Sequence, residues 1–309
     1  MATRRLVATS VVRGSHKGES HGGVYLIDLQ SREVVQTIDW NTVDIDWQGR
    51  GWDRGLRGIA FDAGLVYMAS SDALFAYTPD FRRVGAWRSP YLKHCHEITV
   101  YGRELFLTST GFDSILGFNL DKQVFDWAMH VQTRQYRFSF VRYDAMGEQG
   151  PLPLNKLHIN NVHADDTGMY IAGRNTGGLL QFSGERIQMA VELPSGTHNA
   201  RPFRDGVLFN DTEASTLRYS GRDDREDRVM QVPTYDINTL TFRDADTSGI
   251  AKQGFARGLC LLSDSVVAGG SSPSTVTIYD LKGNKLLMSV NLTRDIRNAI
   301  HGLEVWPYN

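Results

Sequence analysis

His301-Gly302-Leu303-Glu304-Val305-Trp306, almost at the C-terminus, repeats a pattern that the chain has already used at Arg57-Gly58-Ile59, His96-Glu97-Ile98 and Arg257-Gly258-Leu259. Aligning the copies on the apolar runs that follow, such as GLVYMASS at 64–71 and ELFLTSTG at 104–111, adds two more. These are Asn160-Asn161-Val162 before GMYIAG and His198-Asn199-Ala200 before GVLFND. The six copies begin near positions 57, 96, 160, 199, 257 and 301. Three of the spacings, 39, 39 and 44 residues, are close to the roughly 40–45 residues of a four-stranded propeller blade. The wider gaps of 64 and 58 are that unit plus an insertion.

The sixth copy has no room for the rest of its blade, because the sequence stops at Asn309. The missing strands lie at the other end, in LVATSVV (6–12), GVYLIDL (23–29) and EVVQTID (33–39). Pairing the C-terminal strand, about 300–307, with the N-terminal strands, about 5–40, closes the sheet and removes open edges that would pair with other chains. The expected fold is therefore all-β: a six-bladed β-propeller of four-stranded blades, read as one domain over 1–309 with insertions at about 132–157 and 222–253. Short apolar runs punctuated by turns such as Asp62-Ala63-Gly64 and Lys282-Gly283-Asn284 fit this, and no window keeps a long helical period. The first insertion, rich in aromatics and arginine, reads as a cap. The stretch 39–55 reads as a linker.

The totals narrow the function. A net charge of −2, with Lys and Arg scattered, leaves no electrostatic footprint for nucleic acid. No stretch approaches the roughly 18 apolar residues of a membrane span, so no membrane partner is expected. Met1 to Gly14 is interrupted by Arg13 and lacks a cleavage site, so it is not read as a secretory signal. The two cysteines, Cys95 and Cys260, are too few for a disulfide framework, and a reducing cytoplasm is expected.

In a propeller, equivalent positions of the innermost strands face one channel. Here they are Arg57, His96, Asn160, His198 or Asn199, Arg257 and His301, with Glu97 and Asn161 one residue along. Burying so many polar groups is costly without partners, which points to a ligand, a metal ion or ordered water. His96, His198 and His301 are the candidate metal ligands, since imidazoles suit zinc, iron, copper or nickel more than calcium. The expected cofactor is a divalent transition metal, zinc or iron before calcium. Arg57 and Arg257 are the candidate anchors of a small anionic substrate, with Asn160, Asn161 and Asn199 as further substrate contacts. Asp211 and Glu213, which end a second strand, and Glu97 are the candidate acids or bases. His163 reads as structural, His94 and His158 as edging the channel mouth, and His16, His21 and His130 as facing solvent.

Asn160-Asn161-Val162 followed by ADDTGMYIA resembles the signature of six-bladed propellers of the gluconolactonase and senescence-marker group, and more loosely NHL-repeat proteins. The resemblance implies a propeller with a metal or substrate channel on its axis and a lactonase, arylesterase or lyase activity. That group's calcium set is matched clearly only at Asn160. The histidine-rich ring is similar to that of peptidyl-hydroxyglycine amidating lyase and, at a different blade count, of four-histidine iron oxygenases. WD dipeptides of scaffold propellers are missing from the blade ends. The expected function is a metal-dependent enzyme that hydrolyses a lactone or ester, or eliminates, on an anionic small molecule. The alternatives are a non-catalytic propeller that binds a ligand or protein, and an oxidative enzyme with histidine-ligated iron. Oligomeric state is not legible.

Overall fold

Middle strands that are buried on both faces and outer strands that are mostly exposed give each sheet its place. Leu74–Tyr77 is buried at every residue, whereas Val34–Asp39 has none buried. In a computed structural model of the chain, which describes residues 5–16, 18–41, 55–135, 137–247 and 251–308, six antiparallel sheets follow one another. The protein is a six-bladed β-propeller.

The first blade joins Asn298–Val305 to Arg5–Val12, then Gly23–Asp28 and Val34–Asp39, so the ends of the chain are paired as the repeat requires. The second blade runs through Ile59–Asp62, Leu65–Ala69, Leu74–Tyr77 and Arg83–Trp87. The third has Ile98–Tyr101, Glu104–Ser109, Ser114–Asn119 and Val124–Arg134, and the fourth Ile159–Asp165, Gly168–Gly173, Gly178–Phe182 and Ile187–Glu192. The fifth is Thr197–Phe203, Gly206–Asp211, Thr216–Ser220 and Arg228–Gln231; the sixth is Leu259–Leu261, Val266–Ser271, Thr275–Asp280 and Lys285–Asn291.

The chain divides into two compact units, residues 58–209 and residues 1–57 with 210–309. In the first unit, apolar side chains interleave between successive blades. Tyr67, Leu74 and Ala76 pack with Leu105, Leu107 and Phe118, and Ile115 and Met129 pack with Val162, Ile171 and Leu180. In the second unit, Leu6, Ala8 and Ile27 pack with Cys260, Ala268 and Ile278. Cys95 and Cys260 are buried free thiols.

The glycines that follow Arg57 and Arg257 have a steric cause. A Cβ on Gly58 would lie 2.6 Å from the Ile98 backbone nitrogen, and one on Gly258, at φ +78, would lie 3.1 Å from the His301 carbonyl. The first blade's register shifts between Ala8 and Ser10. There the Thr9 hydroxyl accepts from the Gly302 N–H at 2.8 Å and donates to the Arg57 carbonyl, replacing bonds that the ladder loses.

The insertion at 132–157 carries a strand. Arg137–Tyr143 pairs with Val124–Arg134 as a fifth strand of the third blade. The buried Asp113 carboxylate then accepts from the backbone N–H groups of Lys156, Leu157 and His158 at 2.6, 3.1 and 2.8 Å, tying the end of the insertion to the blade. The stretch 222–253 contains the outer strand of its own blade, Arg228–Gln231, and a small cluster in which Leu240, Ala245 and Ala251 pack on Ile296. Of the linker read at 39–55, residues 42–54 lie outside the described residues. Among the described residues no helix is long and apolar enough to cross a membrane.

Candidate functional site

Three strand entries in the unit 58–209 share one backbone device. His94, His158 and Gly196, each two residues ahead of His96, Asn160 and His198, have φ of +63, +53 and +83. Positive φ is uncommon for histidine and concentrates at functional sites. The turn brings the carbonyl of His94 to 2.7 Å from His96 Nδ1 and that of Gly196 to 2.9 Å from His198 Nδ1. A carbonyl only accepts, so both rings carry a proton on Nδ1. His158 Nδ1 lies 3.0 Å from Asn155 Oδ1. The His96 ring is 5.7 Å from that of His158 and 6.4 Å from that of His198, centroid to centroid.

Glu97 is a carboxyl whose proton affinity is strongly altered. Burial pushes its carboxyl up to about 7, outweighing the Arg201 charge, the Asn199 amide and the Val162 backbone N–H, which all pull the other way. Asn199 Nδ2 donates to Glu97 Oε1 at 3.1 Å. Glu97 Oε2 is buried and has no hydrogen bond among the described residues. Arg201 also acts on His163, which burial first, and then that charge, hold down at about 4 against the pull of Asp165. Glu97, Asn199, Arg201 and His163 thus form one electrostatic group, with His163 uncharged at neutral pH.

The asparagines of the ring tie neighbouring blades. Asn161 Nδ2 donates to the Ala200 carbonyl at 2.8 Å and Asn160 Nδ2 to that of Thr197 at 3.4 Å. Asn199 has φ +53, the left-handed conformation that asparagine tolerates. A left-handed residue within a strand breaks its alternation. His198 and Asn199, alternatives in the sequence, both serve: one beside His96, the other on Glu97.

In the other unit, Arg57 is fully buried. Arg257 stacks over Phe255 at 4.6 Å, and Arg13 and Lys252 approach the same ring at 4.4 and 5.6 Å. Arg257 Nη1 lies 3.2 Å from His301 Nε2 and 3.4 Å from Nδ1. The guanidinium therefore lies against the imidazole. Among the described residues no group of three or more His, Cys, Asp or Glu is placed to hold a metal ion. His96, His158 and His198 have the donor chemistry of zinc or iron ligands but fall under the same finding.

The other two candidate acids are placed differently from Glu97. Asp211 is buried, accepts from Ala214 N at 2.9 Å and pairs with Arg218 at 3.2 Å, which makes it a turn cap and ion-pair partner. Glu213 is exposed. His21, expected in solvent, is fully buried with Nδ1 2.6 Å from the Ser15 hydroxyl, and His130 is half-buried on the Phe112 carbonyl. Arg201 and Asp113 were not among the candidates. Arg201 stands two residues from Asn199, whose left-handed backbone breaks the alternation that would relate them; nothing local marks Asp113.

No family model matches the chain, and no curated protein matches it. Solved structures do. A chain of a nidogen/laminin complex is similar at a TM-score of 0.58 and 11% identity, covering 98% of each chain. A protein of unknown function from Bacteroides caccae is similar at 0.60 and 12%, covering 99% of this chain and 100% of that one. Virginiamycin B lyase from Staphylococcus aureus is matched at 0.48 and 11%, covering 77% of this chain and 70% of that one. At these identities the first two likenesses show the propeller fold and nothing of its activity.

Proposed function

We propose that the chain is an enzyme that acts by general acid–base chemistry on a small anionic molecule, hydrolysing a lactone or ester or eliminating a leaving group, with Glu97 handling the proton. The observation that carries this reading is a buried carboxyl held at about 7. Such a group is present in both protonation states at neutral pH, which is what an efficient proton-transfer catalyst needs.

Asn199 fixes one oxygen of the carboxyl, so the proton is exchanged at Oε2. Arg201, whose charge reaches Glu97 and His163, is suited to meet the substrate's anionic group. The imidazoles of His96 and His198, each held at Nδ1 by a backbone carbonyl, are suited to line the bound substrate.

The test is turnover of carboxylate-bearing lactones and esters, and of hydroxy acids able to eliminate, by the protein and by Glu97→Gln. The expected result is a pH–rate profile that bends near 7 and a loss of roughly 10²–10⁴ in rate in the variant. A bend on the acid side makes Glu97 the base; one on the alkaline side makes it the acid. Full activity in Glu97→Gln, or no turnover of any such substrate, overturns the reading. Ligand-dependent stabilisation without turnover supports the binding propeller instead.

A further inference from the structure

Between the third and fourth blades, within the unit 58–209, a cleft of about 320 Å³ opens beside the turns at 165–168 and 182–184. Its walls are the rings of Phe106, Trp127 and Phe182, with Met169. The rings are held in place: Phe106 and Trp127 are 5.7 Å apart, and Phe140 meets Phe182 edge-on at 5.0 Å. Trp127 lies close against the neighbouring strand, where a Cβ on Gly117 would come within 2.3 Å of its Nε1. Among the described residues no lysine or arginine lies over Phe106, Trp127 or Phe182.

Asp165 and Asp166 stand at the rim. Tyr101 donates to Asp166 Oδ1 at 2.9 Å, and Thr167 N donates to Asp165 Oδ1 at 2.8 Å. His163 Nε2 is 3.5 Å from Asp165 Oδ2, but that imidazole is held neutral and so does not cancel the carboxylate. At the outer lip the Arg142 guanidinium rests on the Gly184 carbonyl at 3.3 Å. Aromatic faces and carboxylates together attract positive charge. Apolar walls exclude a strongly hydrated metal ion and accept a cation clothed in carbon. We propose that this cleft binds a small organic cation, an ammonium carrying short aliphatic groups, independently of the acid–base site.

Calorimetric titration of the whole protein with choline, and with 3,3-dimethylbutan-1-ol as its uncharged isostere, tests this. Choline is expected to bind about ten-fold or more tightly than the alcohol. Asp166→Asn is expected to weaken choline by about three-fold or more, and Trp127→Ala by about ten-fold or more. Ser183→Arg places a guanidinium at the mouth from an exposed position and is expected to reduce choline binding without disturbing the core, so the test survives if Trp127→Ala fails to fold. No choline binding at about 10 mM, or equal binding of the alcohol, overturns the proposal, as does unchanged affinity in Asp166→Asn and Ser183→Arg. These readouts do not involve turnover, so they stand apart from the acid–base reading.

Discussion

Asn199 donates to Glu97 across 102 residues of sequence, at 3.1 Å, and fixes the carboxyl that burial holds near neutrality. The pairing depends on two backbone exceptions, the left-handed Asn199 and the small Gly58 packed against the Glu97–Ile98 peptide. The Glu97 carboxyl is therefore positioned by residues from three blades.

Glu97 and His163 bias stability in opposite directions with pH. The Glu97 carboxyl is raised to about 7 from its ordinary 4.5, so its contribution is whole below about 4.5 and is lost as pH rises through 7. The His163 imidazole is lowered to about 4 from 6.5, so its contribution is whole above 6.5 and is lost as pH falls through 4. Urea unfolding at stepped pH should show Glu97→Gln gaining stability from pH 4 to 6.5. His163→Gln should lose it from pH 4.5 to 7, each change being at most roughly 3 kcal/mol. Parallel curves for the two variants and the parent would mean that neither group titrates as argued.

Asp113 holds three backbone N–H groups at the entry to the fourth blade. Asp113→Ala is expected to cost about 3 kcal/mol or more, since three donors lose a charged acceptor at once. Hydrogen exchange at Lys156, Leu157 and His158 should accelerate most. Asp113→Asn, which keeps an acceptor oxygen and tolerates the left-handed φ of +48, should lie between. Uniform exchange rates in the alanine variant would refute the anchoring role.

Gly58→Ala forces a methyl against the Glu97–Ile98 backbone. The expected cost is about 2 kcal/mol or more. Separating the strands also admits water to Glu97, so its carboxyl midpoint, followed by carbon NMR, should fall toward the ordinary value. A stable variant with an unmoved midpoint would contradict the close approach.

Thr9→Val keeps the shape of the side chain and deletes its hydroxyl. The Gly302 N–H then loses its acceptor at the bulge that joins the two ends of the chain. Thermal unfolding should register a loss of about 1–3 kcal/mol, while Thr9→Ser should retain most of the parent stability. Equal stability of the valine and serine variants would remove the hydroxyl from the account of closure.

Blade count and closure were legible along the chain, because a repeat near 40 residues and its turns are local signals, and because the incomplete copy at His301 has its complement in residues 5–40. Glu97 was legible as a candidate by its place beside the ring. Side-chain partnership was not. Asn199 on Glu97, Arg257 against His301, and Asp113 under residues 156–158 join positions far apart, and each depends on which face a residue presents at the strand entry. Period-2 alternation predicts that face only while the backbone stays extended. At His94, His158, Gly196 and Asn199 it turns left-handed, so the ring histidines were readable as a pattern while their neighbours, and hence their chemistry, came only from the packed blades.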